Sequence, residues 1–424
     1  MSIAVADLSI RDVVNDQLVH AVYQPIVDLD SGRLVGMEAL ARGPSGSALE
    51  SPAALFSAAR AAGSERELDW MCRAAAIRGA LEAGLPREVR LFINAEPSAF
   101  TIARPAAFDD IVHDGARQLS IVVEVTEREL TANPAALIGA LNHIRSLGFG
   151  IAIDDVGADP SSLAFLPFIE PDVIKLDMSM VHRPMDATVA AVAAAVSADA
   201  ERRGSIVLAE GIESAEHHRR AIVLGASLGQ GWLFGRPGPL RAERSWHQPS
   251  PAAGNQRPIK HIAETPWSLV TDSPRRRRTT KALLMPMSHH LEQAAIHNDH
   301  GAVVLASFQH ARYFTPNTVD RYTRLSSRCN FVAALGAEMT EQPAPGVRGA
   351  SLPDWHPLCG EWSVVVIGPH YAGALIAREN DGPATDMDRS FDYVVTHDRG
   401  LVIAAARTLM QYITTPVGAR PLSA

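Results

Sequence analysis

Cysteine is scarce in this sequence of 424 residues, which carries three, Cys72, Cys329 and Cys359, an odd number with no Cys-x-x-Cys spacing. That excludes a disulfide framework and a thiolate metal centre, and a reducing, cytoplasmic compartment is expected. No secretory leader is expected either, since MSIAVADLSIRDVVND places acidic residues before any apolar run and lacks a basic segment. The longest apolar stretch, an Ala/Val run around Ala187–Ala200, is too short and too weakly hydrophobic to span a bilayer. It reads as a packing helix, and no membrane insertion is expected. Excess positive charge is absent too: 39 Lys plus Arg stand against 47 Asp plus Glu, a formal charge of -8, which offers no field for a polymeric nucleic acid. Neither G-x-G-x-x-G nor a P-loop occurs, which disfavours the dinucleotide folds.

The length calls for two domains. From Ala21 to Leu240, short β-branched runs alternate with longer Ala/Leu-rich helical segments. The runs are Ala21–Val27, Leu34–Leu40, Val89–Asn94, Ser120–Val125, Gly150–Asp154, Val173–Leu176, Ser205–Ala209 and a last one near Gly231–Phe234. Eight such units predict an α/β fold, a TIM-like (β/α)8 barrel, over residues 1–240. The stretch 241–280, with SWHQPSPAAGNQRP and TDSPRRRRTT, lacks a sustained period and reads as a linker, its Arg275–Arg278 run a solvated charge cluster. Residues 281–424 then read as a smaller α/β (α+β) domain. It comprises a helix Lys281–His297, a strand AVVLASF, and a helix opened by Thr315 and Pro316. A hairpin of WSVVVIG and AGALIAR and a final helix Asp398–Ile413 complete it.

In a barrel of this kind the chemistry sits where strands end. Here those positions are polar: Glu38, Asn94, Glu124, Asp154 and Asp155, Lys175 and Asp177, and Glu210. Each closes an apolar run such as VVEV, IAIDD or VLAEG, where an unpaired carboxylate would cost several kcal/mol. Several carboxylates at one barrel mouth cannot all ionise beside a single lysine, because like charges raise one another's pKa. A bound divalent metal resolves the conflict. Every candidate ligand offers hard oxygen, which points to Mg²⁺ or Mn²⁺, and two such ions suit phosphodiester hydrolysis.

These residues sit in ordered words: YQPI at Tyr23–Ile26, EALAR at Glu38–Arg42, Asn94, EVTE at Glu124–Glu127, and the pair Asp154-Asp155. IKLD with Lys175, AEGIE with Glu210 and Glu213, and GQGWLFGRP with Gln230 follow. The segment resembles the EAL domains that hydrolyse or bind cyclic di-GMP. The resemblance implies that Glu38, Asn94, Glu124 and Asp154 bind one metal and Asp155 the second. Lys175 then orients or deprotonates the attacking water, Glu210 acts as general base or ligand, and Glu213 belongs to the same catalytic set. Gln24, Arg42 and Gln230 meet the cyclic dinucleotide, Arg42 at phosphate and Gln24 at guanine, and the product is linear pGpG. Glu127 anchors the loop that follows the paired aspartates, and a homodimer is implied. That loop departs from the family's D-D-F-G-[TA]-G-Y-S-S-L, running DDVGADPSSL with Val156, Asp159 and Pro160 at the changed positions. Two functions therefore stand, a phosphodiesterase and a cyclic di-GMP receptor with little turnover.

Residues from about Ala302 to Ile413 resemble a DICT domain through SFQHARYFTPNTVDRY, Glu361-Trp362, VVVIGP and ALIARE. The resemblance implies a sensory module that answers a signal or protein partner and biases the barrel. Trp362 and Phe308 read as core packing, with a pocket wall as their other use.

Overall fold

The computed structural model describes residues 8–96, 105–126, 133–159, 163–240, 262–297, 301–380 and 385–414. The chain divides into two compact units, one of 1–126, 139–158 and 170–259, the other of 127–138, 159–169 and 260–424.

Eight strands close a barrel in sequence order: β1 (His20–Asp28), β2 (Leu34–Arg42), β3 (Arg90–Asn94), β4 (Ser120–Thr126), β5 (Gly150–Val156), β6 (Val173–Leu176), β7 (Ile206–Ala209) and β8 (Leu228–Gln230). The TIM-like (β/α)8 class holds, with two corrections. Strand β1 runs antiparallel to both neighbours, β2 and β8, whereas β2 to β8 are mutually parallel. A parallel crossover needs a dozen or more residues, and the short link between β1 and β2 can make only a hairpin. The eighth strand is Leu228–Gln230, not Gly231–Phe234. There Gly231 lies so close to the backbone of Ile212 that a Cβ would meet its carbonyl oxygen at 2.1 Å.

Local chemistry sets the barrel's helices. Pro52–Ala62 starts behind Ser51, whose side chain accepts from Ala54 N, and ends at Gly63 in the left-handed region. The Ala/Val run lies within the helix Ala187–Arg203, capped by Asp186 and Gly204. No helix among the described residues is long and apolar enough to cross a membrane.

The second unit is built on a seven-stranded sheet. Its strands are β9 (Arg277–Thr280), β10 (Val303–His310), β11 (Phe331–Ala337), β12 (Arg348–Leu352), β13 (Glu361–Ile367), β14 (Ala372–Glu379) and β15 (Ser390–Thr396), in the order β12-β11-β10-β13-β14-β15-β9. The expected hairpin is β13 with β14. Part of the stretch assigned to a linker is ordered: β9 pairs with β15, and Arg278 Nε meets Asp392 Oδ1 at 2.6 Å. The central strands are buried along their whole length, as a sheet covered on both faces requires. Helix Lys281–Ile296 contributes Leu284, Leu291 and Ala295 to a core with Val304, Ala306 and Phe308 of β10. Helix Pro316–Ser326 follows Thr315 with proline in its first turn, as its sequence predicts.

Candidate active site

Period-two alternation builds the site. One apolar side chain from each barrel strand, Ile26, Val35, Phe92, Val122, Ala152, Val173, Leu208 and Leu228, joins a single internal cluster. Residues two apart on a strand share a face. The next inward positions toward the mouth are therefore Asn94 on β3, Glu124 on β4, Asp154 on β5, Lys175 on β6, Glu210 just past β7 and Gln230 on β8. Because β1 runs the other way, its counterpart lies earlier in the chain, at Gln24, in register with Glu38 on β2.

Lys175 is the hub of this ring. Its Nζ lies 2.8 Å from Glu124 Oε1, 2.8 Å from Glu210 Oε1, 3.0 Å from Asp154 Oδ1 and 3.6 Å from Glu38 Oε1. The residue is 0% exposed. A second layer of amides fixes Glu38: Gln230 Nε2 donates to its Oε2 at 2.5 Å and Asn94 Nδ2 to its Oε1 at 3.3 Å. Gln230 also donates to Gln24 Oε1 at 3.2 Å, and Gln24 Nε2 donates to the Gly235 carbonyl at 3.2 Å.

Burial works against every charge here, and neighbours decide the outcome. It depresses the Lys175 ammonium, but four carboxylates outweigh it and hold that pKa well above its ordinary value. For Glu124, burial and then Glu38 push the carboxyl well up, beyond what Lys175 offsets. Burial pushes Glu38 up too, yet Lys175 and the hydrogen bond from Gln230 leave it below the ordinary carboxylate range. Glu210 is pushed up to about 7, by burial first, with Lys175 opposing and Asp154 and Glu38 adding. One ammonium cannot neutralise four carboxylates, so the ring needs either a proton on a member such as Glu124 or a further cation.

The donor set fits that cation. Carboxylate oxygens of Asp154, Asp155 and Glu210 lie within 4.8 Å of one another, and all are hard donors suited to Mg²⁺ or Mn²⁺. Asp155 takes the left-handed region, φ 58°, and donates its N–H to Asp154 Oδ1 at 3.0 Å. After it, Val156 is buried, and Gly157, at φ 97°, has Met180 Cγ where a Cβ would stand, 2.7 Å away. Pro160 and the loop anchor Glu127 lie outside the described residues.

Three candidates are not in the ring. Arg42, at the end of β2, donates Nη1 to the Ala41 carbonyl at 2.8 Å. Glu213 is exposed, its N–H directed to His217 Nδ1 at 3.3 Å. Asp177 caps the helix Met178–His182 by accepting from Ser179 N at 2.9 Å, a structural use.

Sequence reasoning passed over the pair Asp69 and Arg73 on the helix Glu65–Glu82. Both are buried and bonded to each other, Asp69 accepts from Glu96 N at 3.1 Å, and the Arg73 guanidinium lies 3.7 Å over the Trp70 ring. They line a cavity of about 380 Å³ with Asn94 and Glu124, at the edge of the ring. Opposite charges one turn apart on a helix were the available signal, and only the packing shows that their face is buried.

Residues 8–237 match the EAL domain model, and residues 267–380 match DICT, the sensory domain in diguanylate cyclases and two-component systems. The chain is 34% identical over 250 residues to the cyclic di-GMP phosphodiesterase RocR of Pseudomonas aeruginosa, covering 56% of this chain and 63% of RocR. It is 31% identical over 240 residues to the cyclic di-GMP phosphodiesterase NbdA of the same organism, covering 55% of this chain and 30% of NbdA. It thus spans less than two thirds of either relative's length. Among solved structures, Klebsiella pneumoniae BlrP1 in complex with calcium and cyclic di-GMP shares 31% identity at a TM-score of 0.47, over 53% of this chain and 56% of that one.

Proposed function

Because the chain belongs to the EAL domain family, we propose that its barrel hydrolyses cyclic di-GMP to linear pGpG with Mg²⁺ or Mn²⁺. The observation that carries this reading is the meeting of Glu38, Glu124, Asp154 and Glu210 at one buried lysine, with Asp155 beside them. Glu38, Asn94, Glu124 and Asp154 would hold one ion and Asp155 a second, and when bound these would supply charge neutralisation at phosphate and a water of lowered pKa.

The chain's own residues do the rest. Water adds to phosphorus, one P–O bond opens, and the freed ribose oxygen takes up a proton. Lys175 orients the water and keeps the surrounding carboxylates in place. Glu210, with a pKa pushed up to about 7, accepts the proton that the water gives up. Gln24 meets guanine and Arg42 meets phosphate, where its fork donates two hydrogen bonds. Gln230 completes that set by holding Glu38 and Gln24 together, and Glu213 supports the loop after β7.

The test is direct: purified full chain, cyclic di-GMP and either Mn²⁺ or Mg²⁺, with nucleotides separated by chromatography. Release of pGpG that drops by about 10²-fold or more in Glu38→Ala supports the reading. A second reading, a receptor with little turnover, is favoured by the altered loop DDVGADPSSL. Calorimetric binding of cyclic di-GMP without pGpG release in either metal selects it. In both readings residues 1–240 carry the nucleotide chemistry, the C-terminal domain regulates it, and the protein works as a cytoplasmic homodimer.

A further inference from the structure

The second unit holds a cavity of about 360 Å³ that the barrel's chemistry does not use. It lies between helix Lys281–Ile296, the start of helix Pro316–Ser326 and one end of β10, β13 and β15. The volume suits a small ligand. Aromatic rings form much of the wall: Phe308, Tyr313, Trp362 and Phe391. Three of these rings are held edge-on by their neighbours, Trp362 against Phe391 at 5.7 Å and Phe308 against Tyr322 at 5.3 Å between centroids. Trp362 and Phe308 are thus both buried and part of a cavity wall.

The charges around this space are spent on one another. Lys281 Nζ bonds both oxygens of Asp386 at 2.7 Å. Arg321 pairs with the buried Glu292. Arg389 donates Nε to Glu379 Oε1 at 2.7 Å and Nη2 to Gln309 Oε1, and lies 4.2 Å over the Tyr313 ring. An anionic ligand would have to break one of these pairs, and a cation would find the face of Tyr313 already covered by Arg389. An uncharged ring displaces neither. One polar group in the wall has spare capacity: His289 Nε2 is buried without a hydrogen-bond partner among the described residues. Burial, then Arg321, hold that imidazole below its ordinary pKa, so it is neutral at pH 7.

We propose that this cavity binds a small, uncharged, planar aromatic or heteroaromatic molecule carrying one hydrogen-bonding group for His289. The site is the sensory input of the C-terminal domain, and its binding step stands whether or not the barrel turns over.

Three probes that share one ring separate the ligand classes: indole is uncharged, indole-3-acetate is an anion and tryptamine is a cation. Calorimetry on the full chain, without metal or cyclic nucleotide, should give indole a Kd about tenfold or more below that of either charged probe. Met285→Trp fills the cavity from its half-buried wall and should abolish indole binding while circular dichroism stays unchanged. His289→Leu keeps the volume and should weaken indole by about fivefold or more. The proposal is overturned if indole fails to bind at millimolar concentration, if a charged probe binds as tightly or more so, or if indole binding survives both variants. Because the readout is binding in the absence of cyclic di-GMP, a catalytically silent barrel leaves the result unaffected.

Discussion

Lys175 Nζ and Glu124 Oε1 stand 2.8 Å apart with both side chains sealed from solvent. Strand register puts them there: Glu124 lies beside Ala152 on β5, and Ala152 beside Val173 on β6, which leads to Lys175 on the same inward face. Such a pair contributes little net stability once desolvation is counted, yet losing one partner is costly. The arrangement therefore gathers carboxylates at one point of the barrel mouth at the expense of the barrel's own stability, as the proposed phosphodiester chemistry requires.

Lys175→Met should expose that cost. The four carboxylates would lose their shared cation, and breaking a buried pair of this kind destabilises by about 3–5 kcal/mol. A divalent ion at the same carboxylates would offset part of it, by linkage. Thermal unfolding should show a large fall in midpoint in EDTA and a smaller one in millimolar Mn²⁺, with pGpG release reduced by about 10²-fold or more. Equal falls with and without metal would mean that the affinity of these carboxylates for the ion does not depend on Lys175.

Gly211, directly after Glu210, has φ 66°, and a Cβ there would stand 2.5 Å from Met178 Cβ. Gly84 is a matched control, with φ 67° and nothing within 4 Å. Gly84→Ala should cost about 1 kcal/mol from backbone strain alone. Gly211→Ala adds a clash with neighbouring packing and should cost roughly 2–4 kcal/mol while displacing Glu210. Urea denaturation of both variants measures the difference, and equal costs would show that the loop relaxes freely around Met178.

A carboxylate or amide at the end of an apolar run is conspicuous, and for that reason most of the ring was legible in the sequence. Glu38, Asn94, Glu124, Asp154 and Glu210 all interrupt stretches that would otherwise be continuous core. A further signal was available: lysine occurs at only three positions, 175, 260 and 281, and the first lies inside a strand. What escaped depended on tertiary pairing. Strand β8 is three residues long and includes a glycine, so no local pattern marks it. Arg277 and Arg278 are exposed, as a run of four arginines suggests, but the run does not show that β15 supplies a ladder and Asp392 a countercharge. Strand FVAALGA, the interior β11, lacks alternation because both its faces are covered, and periodicity alone cannot separate it from a buried helix. Asp69 and Arg73 were hidden by their helix, whose charged residues suggest a solvated face until the packing is known.

The second unit should lose stability as pH rises toward neutrality, because of Glu361. Its Oε2 accepts from Trp267 N at 3.1 Å. Burial pushes its pKa up from 4.5 to about 7, against hydrogen bonds from Thr265 and Trp267 and the pull of Arg378. The folded state thus keeps a proton that the unfolded chain releases near its ordinary pKa. For a raised carboxyl, the stabilising contribution is full below pH 4.5 and is lost as pH climbs through about 7. The whole change is about 3 kcal/mol, from about 1.4 kcal/mol per pKa unit. Glu361→Gln keeps an acceptor for Trp267 and removes the titration. Chemical denaturation between pH 5 and pH 8 should give a falling stability curve for the native chain and a flatter one for Glu361→Gln, with the variant gaining relative to native at the alkaline end. Parallel curves would mean that Glu361 is ionised throughout that range and that its buried oxygen is solvated by a route other than the Trp267 amide.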